Sequence, residues 1–177
     1  SALPKVMHAI AGRPMVDWSI ALAKACGCSR IIVVAHPSQT VLIDHISASL
    51  GNDAIAYQDP PQGTGHAVRA AEEALKDFSG DLVVLYGDSP LVPVSAIDGL
   101  FDALEQGAAI GVLGFETDEP KLYGRLIESG DGALDAIVEA REASPAQLKV
   151  TLCNSGVMAG DAALMFRLLR DVKNENA

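Results

Sequence analysis

Basic side chains are scarce in this chain, and they never cluster. Lys and Arg number 13 against 23 Asp and Glu, giving a formal net charge of −10. A surface of that sign repels nucleic acid and anionic membranes, so neither is an expected partner. It repels polyanionic small molecules as well. A phosphate site here therefore needs a local Lys or Arg, or a divalent cation. Cysteine is nearly missing: Cys26, Cys28 and Cys153 are an odd set, with no second pair to complement Cys26-Gly27-Cys28. They read as buried apolar thiols in a reducing cytosol rather than half of a metal site. No leader-type segment and no bilayer-length apolar run is found, so a soluble cytoplasmic protein is expected.

What is present is a well-built globular composition. Hydrophobic residues make up 49% of the 177 positions and charged ones 20%, which suits one α/β domain with a real core. Helix and strand patterns alternate along the chain. Helical spacing covers Met15 to Ala25, stopped by Gly27, and recurs over Thr40 to Leu50, Ala67 to Leu75 and Ser95 to Leu104, the last capped by Ser95. Ile31 to Ala35, Asp53 to Tyr57 and Leu82 to Leu85 read as strands, the first and last buried on both faces. Strand, crossover helix, strand implies a parallel sheet flanked by helices. After Gly107 the pattern changes. Ala109 to Phe115 and Val150 to Ala159 are extended, and Arg125-Glu128 with Leu134-Val138 form a hairpin around Ser129-Gly130-Asp131-Gly132. Ala162 to Arg170 closes as a helix. The expectation is a nucleotide-binding half over residues 1–107 and a smaller antiparallel half over 108–177, with the ligand in a cleft above the strand ends.

The chemistry-bearing residues stand at the ends of these elements. Tyr57-Gln58-Asp59-Pro60-Pro61-Gln62-Gly63-Thr64-Gly65-His66-Ala67 runs from a strand through a proline turn into a Gly-Thr-Gly that opens a helix. Small residues there let a flat ring approach the backbone, and a helix start offers amide donors. Gln58 carries a donor and an acceptor that match the imide edge of uracil, though a solvated loop Gln reads the same way. His66 reads as a packing or capping residue. Asp88, in Tyr86-Gly87-Asp88-Ser89-Pro90-Leu91, emerges where an apolar strand meets solvent. One carboxylate plus nucleotide phosphates and waters suffices for Mg2+, but a turn Asp before Ser89-Pro90 is equally regular. Lys5 projects from a segment constrained by Pro4 and is the local cation a phosphate requires, unless it is an ordinary surface lysine. Glu139 and Asn154 interrupt apolar strands and suit the hydroxyls of a sugar, or else begin a charged segment and close a turn. Tyr123-Gly124-Arg125 can offer a backbone amide to the same ligand.

Taken together these segments resemble one family. Ser1-Ala2-Leu3-Pro4-Lys5-Val6-Met7-His8, Gly12-Arg13-Pro14-Met15, Gln62 to Ala67, Tyr86 to Leu91, Tyr123-Gly124-Arg125, Ile137-Val138-Glu139 and Asn154-Ser155-Gly156-Val157 fall in family order. The chain is similar to the pyrophosphorylase domain of the bacterial bifunctional N-acetylglucosamine-1-phosphate uridyltransferase and glucosamine-1-phosphate acetyltransferase. The resemblance implies a Rossmann-like nucleotidyltransferase fold, mostly parallel, with a small antiparallel sugar-binding lobe. It implies that UTP and N-acetylglucosamine 1-phosphate are joined to UDP-N-acetylglucosamine and pyrophosphate, for peptidoglycan and lipopolysaccharide synthesis. Gln58, Gly63 and Thr64 fall where the family reads uracil, Lys5 on its phosphate lysine and Asp88 on its Mg2+ carboxylate. Tyr86, Gly87, Gly124, Glu139 and Asn154 match positions lining the sugar-nucleotide site.

Three family features are expected outside this stretch: a glycine-rich loop with a catalytic arginine before Ser1, a second Mg2+ ligand beyond Ala177, and a β-helical acetyltransferase domain through which the full-length protein forms a homo-oligomer. The chain is thus expected to be a domain incomplete at both ends, and inactive if the phosphate loop is needed. Two alternatives stand beside this reading: another sugar-1-phosphate nucleotidyltransferase, or a nucleotide-sugar-binding module without catalysis.

Overall fold

The computed structural model describes residues 3–130 and 132–172. Ser1 and Ala2, Asp131, and residues 173–177 with the polar tail Asn174-Glu175-Asn176-Ala177 lie outside the described residues.

A short 3-10 turn at Lys5–Met7 leads into the two-residue strands β1 (Ala9–Ile10) and β2 (Arg13–Pro14), paired antiparallel. Ala11 and Gly12 both take positive φ (51° and 79°), the geometry of a tight hairpin turn. Helix α1 (Met15–Ala25) buries Met15, Val16, Ser19, Ile20 and Ala23, a single stripe at helical spacing. It ends as expected, with Gly27 left-handed at φ 73°. Strand β3 (Val33–Ala35), helix α2 (Thr40–Leu50) and strand β4 (Ile55–Tyr57) form a crossover unit in which β3 and β4 run parallel. Val16, Ile20, Ala35, Leu42 and Ile46 make the core between them.

Helix α3 (Thr64–Ala70), strand β5 (Asp81–Val84) and helix α4 (Val94–Glu105) follow. The rest is β6 (Ile110–Glu116), β7 (Arg125–Glu128), β8 (Leu134–Val138), the ten-residue β9 (Leu152–Asp161) and α5 (Ala162–Asp171). Asp161 caps α5, its carboxylate accepting from Leu164 N at 2.8 Å. Strand β9 is the axis of a five-stranded sheet, pairing antiparallel with β5, β6 and β7, while β8 pairs with β7 as the expected hairpin.

The structure alters several expectations. Among the described residues only β3 and β4 pair in parallel. Strand β5 joins β9 antiparallel, so residues 81–84 share a sheet with the second half. The strand expected over Ile31–Ala35 is ladder-paired only from Val33, because its partner β4 is itself three residues long. Asn52–Ala54 is a 3-10 turn rather than the start of a strand. The helix expected over Ala67–Leu75 starts earlier, at Thr64, and Glu73–Leu75 forms a separate 3-10 turn. Ser95 does not cap α4: the N-cap position is Pro93, and no side chain bonds there. Proline at that point already fixes the backbone for helix entry.

Candidate functional site

The turn after β5 is built by its neighbours. The β5–β9 ladder stops at Val84 opposite Met158, where β9 bulges over Ser155–Val157 against the single residue Leu113 of β6. Gly156 takes φ 85° in that bulge. Two side chains replace the lost ladder bonds. The Asn154 amide oxygen accepts from Gly156 N at 2.9 Å, and the Ser155 hydroxyl donates to Leu113 O at 2.6 Å. The Tyr86 ring then lies directly on Gly156, where a Cβ would fall 2.6 Å from the ring edge. Buried Ser19 on α1 fixes the same residue from the other side, its hydroxyl donating to Tyr86 O at 2.9 Å. Gly87 packs so tightly on Val6 that a Cβ would meet it at 3.1 Å. That contact brings the Lys5 segment against the turn. Lys5 Nζ reaches Asp88 Oδ2 at 2.6 Å. The hydrogen bond and the charge of Asp88 hold the Lys5 ammonium above its ordinary pKa, so it stays protonated.

A second group surrounds Gln58. Its backbone N donates to Ala35 O at 3.0 Å, tying it to the end of β3. Its side-chain nitrogen donates to Gly63 O at 2.9 Å and to His66 Nδ1 at 3.1 Å. Gly63 precedes α3 with φ 92°, a conformation that favours glycine. The sequence motif is therefore closed on itself: Gln58, Gly63 and His66 form one hydrogen-bonded turn.

A third group lies on the β7–β9 side. Gly124 is buried, its carbonyl accepting from Asn154 N at 2.8 Å. A Cβ on it would meet Glu139 Oε1 at 3.4 Å and Asn154 Cβ at 3.7 Å, so the three residues are neighbours. Tyr86, in contact with Gly156, connects this group to Asp88. Thr64, Tyr86 and Gly87 in turn line one cavity of about 660 Å3 that runs between β3 and β5. The walls of that cavity are mostly apolar, including Val33, Val34, Leu82 and Val83, so it is unsuited to phosphates; Thr64, Tyr86 and Gly87 are the candidate site residues among its lining.

Sequence reasoning missed three contributors. His66 binds the Gln58 amide, and its position in Gly-Thr-Gly-His gave no sign of that partner. Ser19 was hidden as one more small residue in a helical stripe. Arg125 is 2% exposed, with its guanidinium donating to the carbonyls of Tyr123, Pro120 and Lys121. It holds the loop that carries Gly124, and an edge-to-face contact of Phe115 with Tyr123 (ring centroids 4.9 Å apart) steadies the same loop. The Asn154 side chain serves the bulge, as the turn reading of that residue anticipates.

Asp88 is one carboxylate, and among the described residues no group of three or more His, Cys, Asp or Glu could cage a metal. A lone hard oxygen donor, 29% exposed beside an open turn, fits Mg2+ that keeps waters and substrate oxygens as its other ligands. Of the three cysteines expected to be buried only Cys153 is; Cys26 and Cys28 are half-buried, and that partial burial pushes their thiols up, which keeps them protonated and makes poor nucleophiles or metal ligands of them. No described helix is long and apolar enough to cross a membrane.

The α/β arrangement of this chain is that of nucleotidyltransferases. A crystal structure of apo UDP-glucose pyrophosphorylase superposes with a TM-score of 0.74 over 97% of the chain and 74% of that protein, at 17% identity. HddC from Yersinia pseudotuberculosis, complexed with GMP-PN, superposes with a TM-score of 0.68 over 97% and 72%, at 21% identity. The chain belongs to the MobA-like NTP transferase domain family, which matches residues 2–150. It is 67% identical over all 177 residues to the bifunctional protein GlmU of Hyphomonas neptunium and 52% identical over 173 residues to that of Maricaulis maris. The chain spans 38% of the length of each of these relatives.

Proposed function

We propose that this domain transfers a uridylyl group from UTP to N-acetylglucosamine 1-phosphate, giving UDP-N-acetylglucosamine and pyrophosphate. The observation that carries the reading is the 2.6 Å contact of Lys5 with Asp88, next in sequence to Gly87, which lines one cavity together with Tyr86 and Thr64. It joins the one cation and the one carboxylate that a phosphate site in so acidic a chain requires. The similarity to proteins named GlmU supports the choice of this reaction over others in the family.

In this reading Gln58, Gly63 and Thr64 receive the uracil, and Gly124, Glu139 and Asn154 receive the sugar, with Tyr86 and Gly87 between them. Residues 1–107 supply the nucleotide side and 108–177 the sugar side. An oxygen of the sugar phosphate attacks the α-phosphorus of UTP, the new P–O bond forms, and the bond to the β-phosphate breaks to release pyrophosphate. No covalent enzyme intermediate is required; the work is positioning and charge stabilisation. Lys5 neutralises charge on the transferring α-phosphoryl group, and Asp88 would hold the divalent cation, assigned as Mg2+. The cation, when bound, screens the repulsion between two anionic substrates. The supply of UTP and sugar phosphate puts this reaction in the cytoplasm.

The test is pyrophosphate release by the full-length protein, offered each of the four NTPs with N-acetylglucosamine 1-phosphate or glucose 1-phosphate. UTP with the N-acetylated sugar is expected to turn over fastest. A faster reaction with any other pair overturns the assignment.

A further inference from the structure

The Gln58 carboxamide is oriented from two sides. Gly63 O can only accept, so the atom 2.9 Å from it must be the amide nitrogen. The same nitrogen lies 3.1 Å from His66 Nδ1, so both of its hydrogens are engaged inside the protein. His66 Nδ1 therefore accepts, and a neutral ring carries its proton on Nε2. Among the described residues the Gln58 carbonyl oxygen has no protein partner. Flipping the amide would set two oxygens 2.9 Å apart at Gly63, which no tautomer of His66 can relieve.

We propose that His66 is a positioning residue that, with Gly63 O, turns Gln58 into an acceptor-only reader of the nucleotide base. The inference rests on the reading of Gln58 as a base-binding residue. It refines that reading: a free carboxamide offers donor and acceptor alike, whereas this one offers only Oε1. A base is then retained when it presents a ring N–H at that point, as uracil, thymine and guanine do. Cytosine and adenine present a bare ring nitrogen there and leave two acceptors facing each other. A site whose polar group is left unpaired by the wrong ligand discriminates more strongly than one that merely loses contact area.

The experiment is calorimetric binding of UDP and of CDP to the full-length protein and to His66→Phe and His66→Asn. Phe keeps the ring without the acceptor; Asn keeps an acceptor near Nδ1 without the ring. Wild type is expected to prefer UDP by on the order of tenfold, the value of one unpaired hydrogen-bonding group. His66→Phe is expected to lose most of that preference and His66→Asn to keep it. An unchanged UDP/CDP ratio in His66→Phe overturns the inference, as does the reverse pattern, which would mean that ring packing matters and the acceptor does not. If His66→Phe fails to fold, Gln58→Met carries the test, and a retained preference there overturns it. Wild type that binds neither nucleotide sinks the nucleotide-site reading and this inference together. Wild type that binds both equally sinks this inference alone.

Discussion

Lys5 Nζ and Asp88 Oδ2, 83 residues apart in sequence, meet at 2.6 Å, so the candidate metal carboxylate is already paired with a cation in the free protein. A divalent ion entering without nucleotide meets the positive charge of Lys5 on the same carboxylate. Arriving with nucleotide, it meets phosphates that draw the ammonium away. Lys5→Ala is therefore expected to bind Mn2+ more tightly than wild type in the absence of nucleotide, by electron paramagnetic titration. The same change should cut turnover of the full-length protein by roughly 10²–10³-fold, the loss typical of a well-placed electrostatic donor. Weaker Mn2+ binding by the variant, or near-normal turnover, refutes the assignment of Lys5. The pair is insensitive to mild alkali: the Lys5 pKa is raised, so the ammonium is lost only as pH climbs past its ordinary value of 10.5.

Asp88→Asn tests the other partner. The substitution keeps the shape and removes the charge. The ion pair it breaks is exposed on the lysine side, so melting temperature is expected to change little. Mn2+ binding in the presence of UTP is expected to fall to the level of UTP alone. Unchanged binding would remove Asp88 from the metal site.

How far the sequence reaches differs between helices and sheet. The boundaries of α1 and α2 follow from apolar stripes punctuated by glycine: Gly27 and Gly51 both take positive φ where the stripes stop. The antiparallel union of β5 with β9 does not follow from any local pattern, because Leu82-Val83-Val84 looks the same whichever strand it meets. Two-residue strands such as β1 and β2 carry no periodicity at all. The site shows the same division. Gln58, Gly63 and Asp88 announce themselves by type and by position at element ends. The Lys5–Asp88 pair and the Gln58–His66 bond are tertiary facts, and Arg125 looks from the sequence like any surface cation opening a strand.

Arg125 makes its own prediction. It is buried, its Nε has no partner, and no carboxylate neutralises it among the described residues. The loop carbonyls of Pro120, Lys121 and Tyr123 are what its guanidinium holds. In Arg125→Met the stem still packs, but the Lys121 and Tyr123 carbonyls lose their donor, while Pro120 O keeps the Tyr123 N–H at 3.0 Å. The expected cost is about 1–3 kcal/mol, the price of unmade hydrogen bonds, read from denaturant unfolding. Amide exchange at Tyr123 and Gly124 should accelerate together, with weaker UDP-N-acetylglucosamine binding. Unaltered exchange in that loop would show that Arg125 does not organise it.

Gly156→Ala probes the junction between the Asp88 turn and the β9 bulge. An added methyl group meets Tyr86 Cε2 at 2.6 Å and Cζ at 2.9 Å, and the backbone there has φ 85°. Moving the ring away is opposed by the Ser19 hydroxyl, which grips the Tyr86 carbonyl at 2.9 Å. Strain in a left-handed backbone costs about 1–3 kcal/mol for a non-glycine residue, before the displaced ring is counted. The variant is expected to melt several degrees lower and to bind UDP-N-acetylglucosamine more weakly, because Tyr86 and Asp88 share one turn. Gly99→Ala is the matched control: it lies within α4, and its added Cβ has nothing within 4 Å. Removing a helical glycine there should be neutral or raise stability by up to about 1 kcal/mol. If both alanines melt alike, the close approach of Tyr86 to Gly156 does not hold the turn in place.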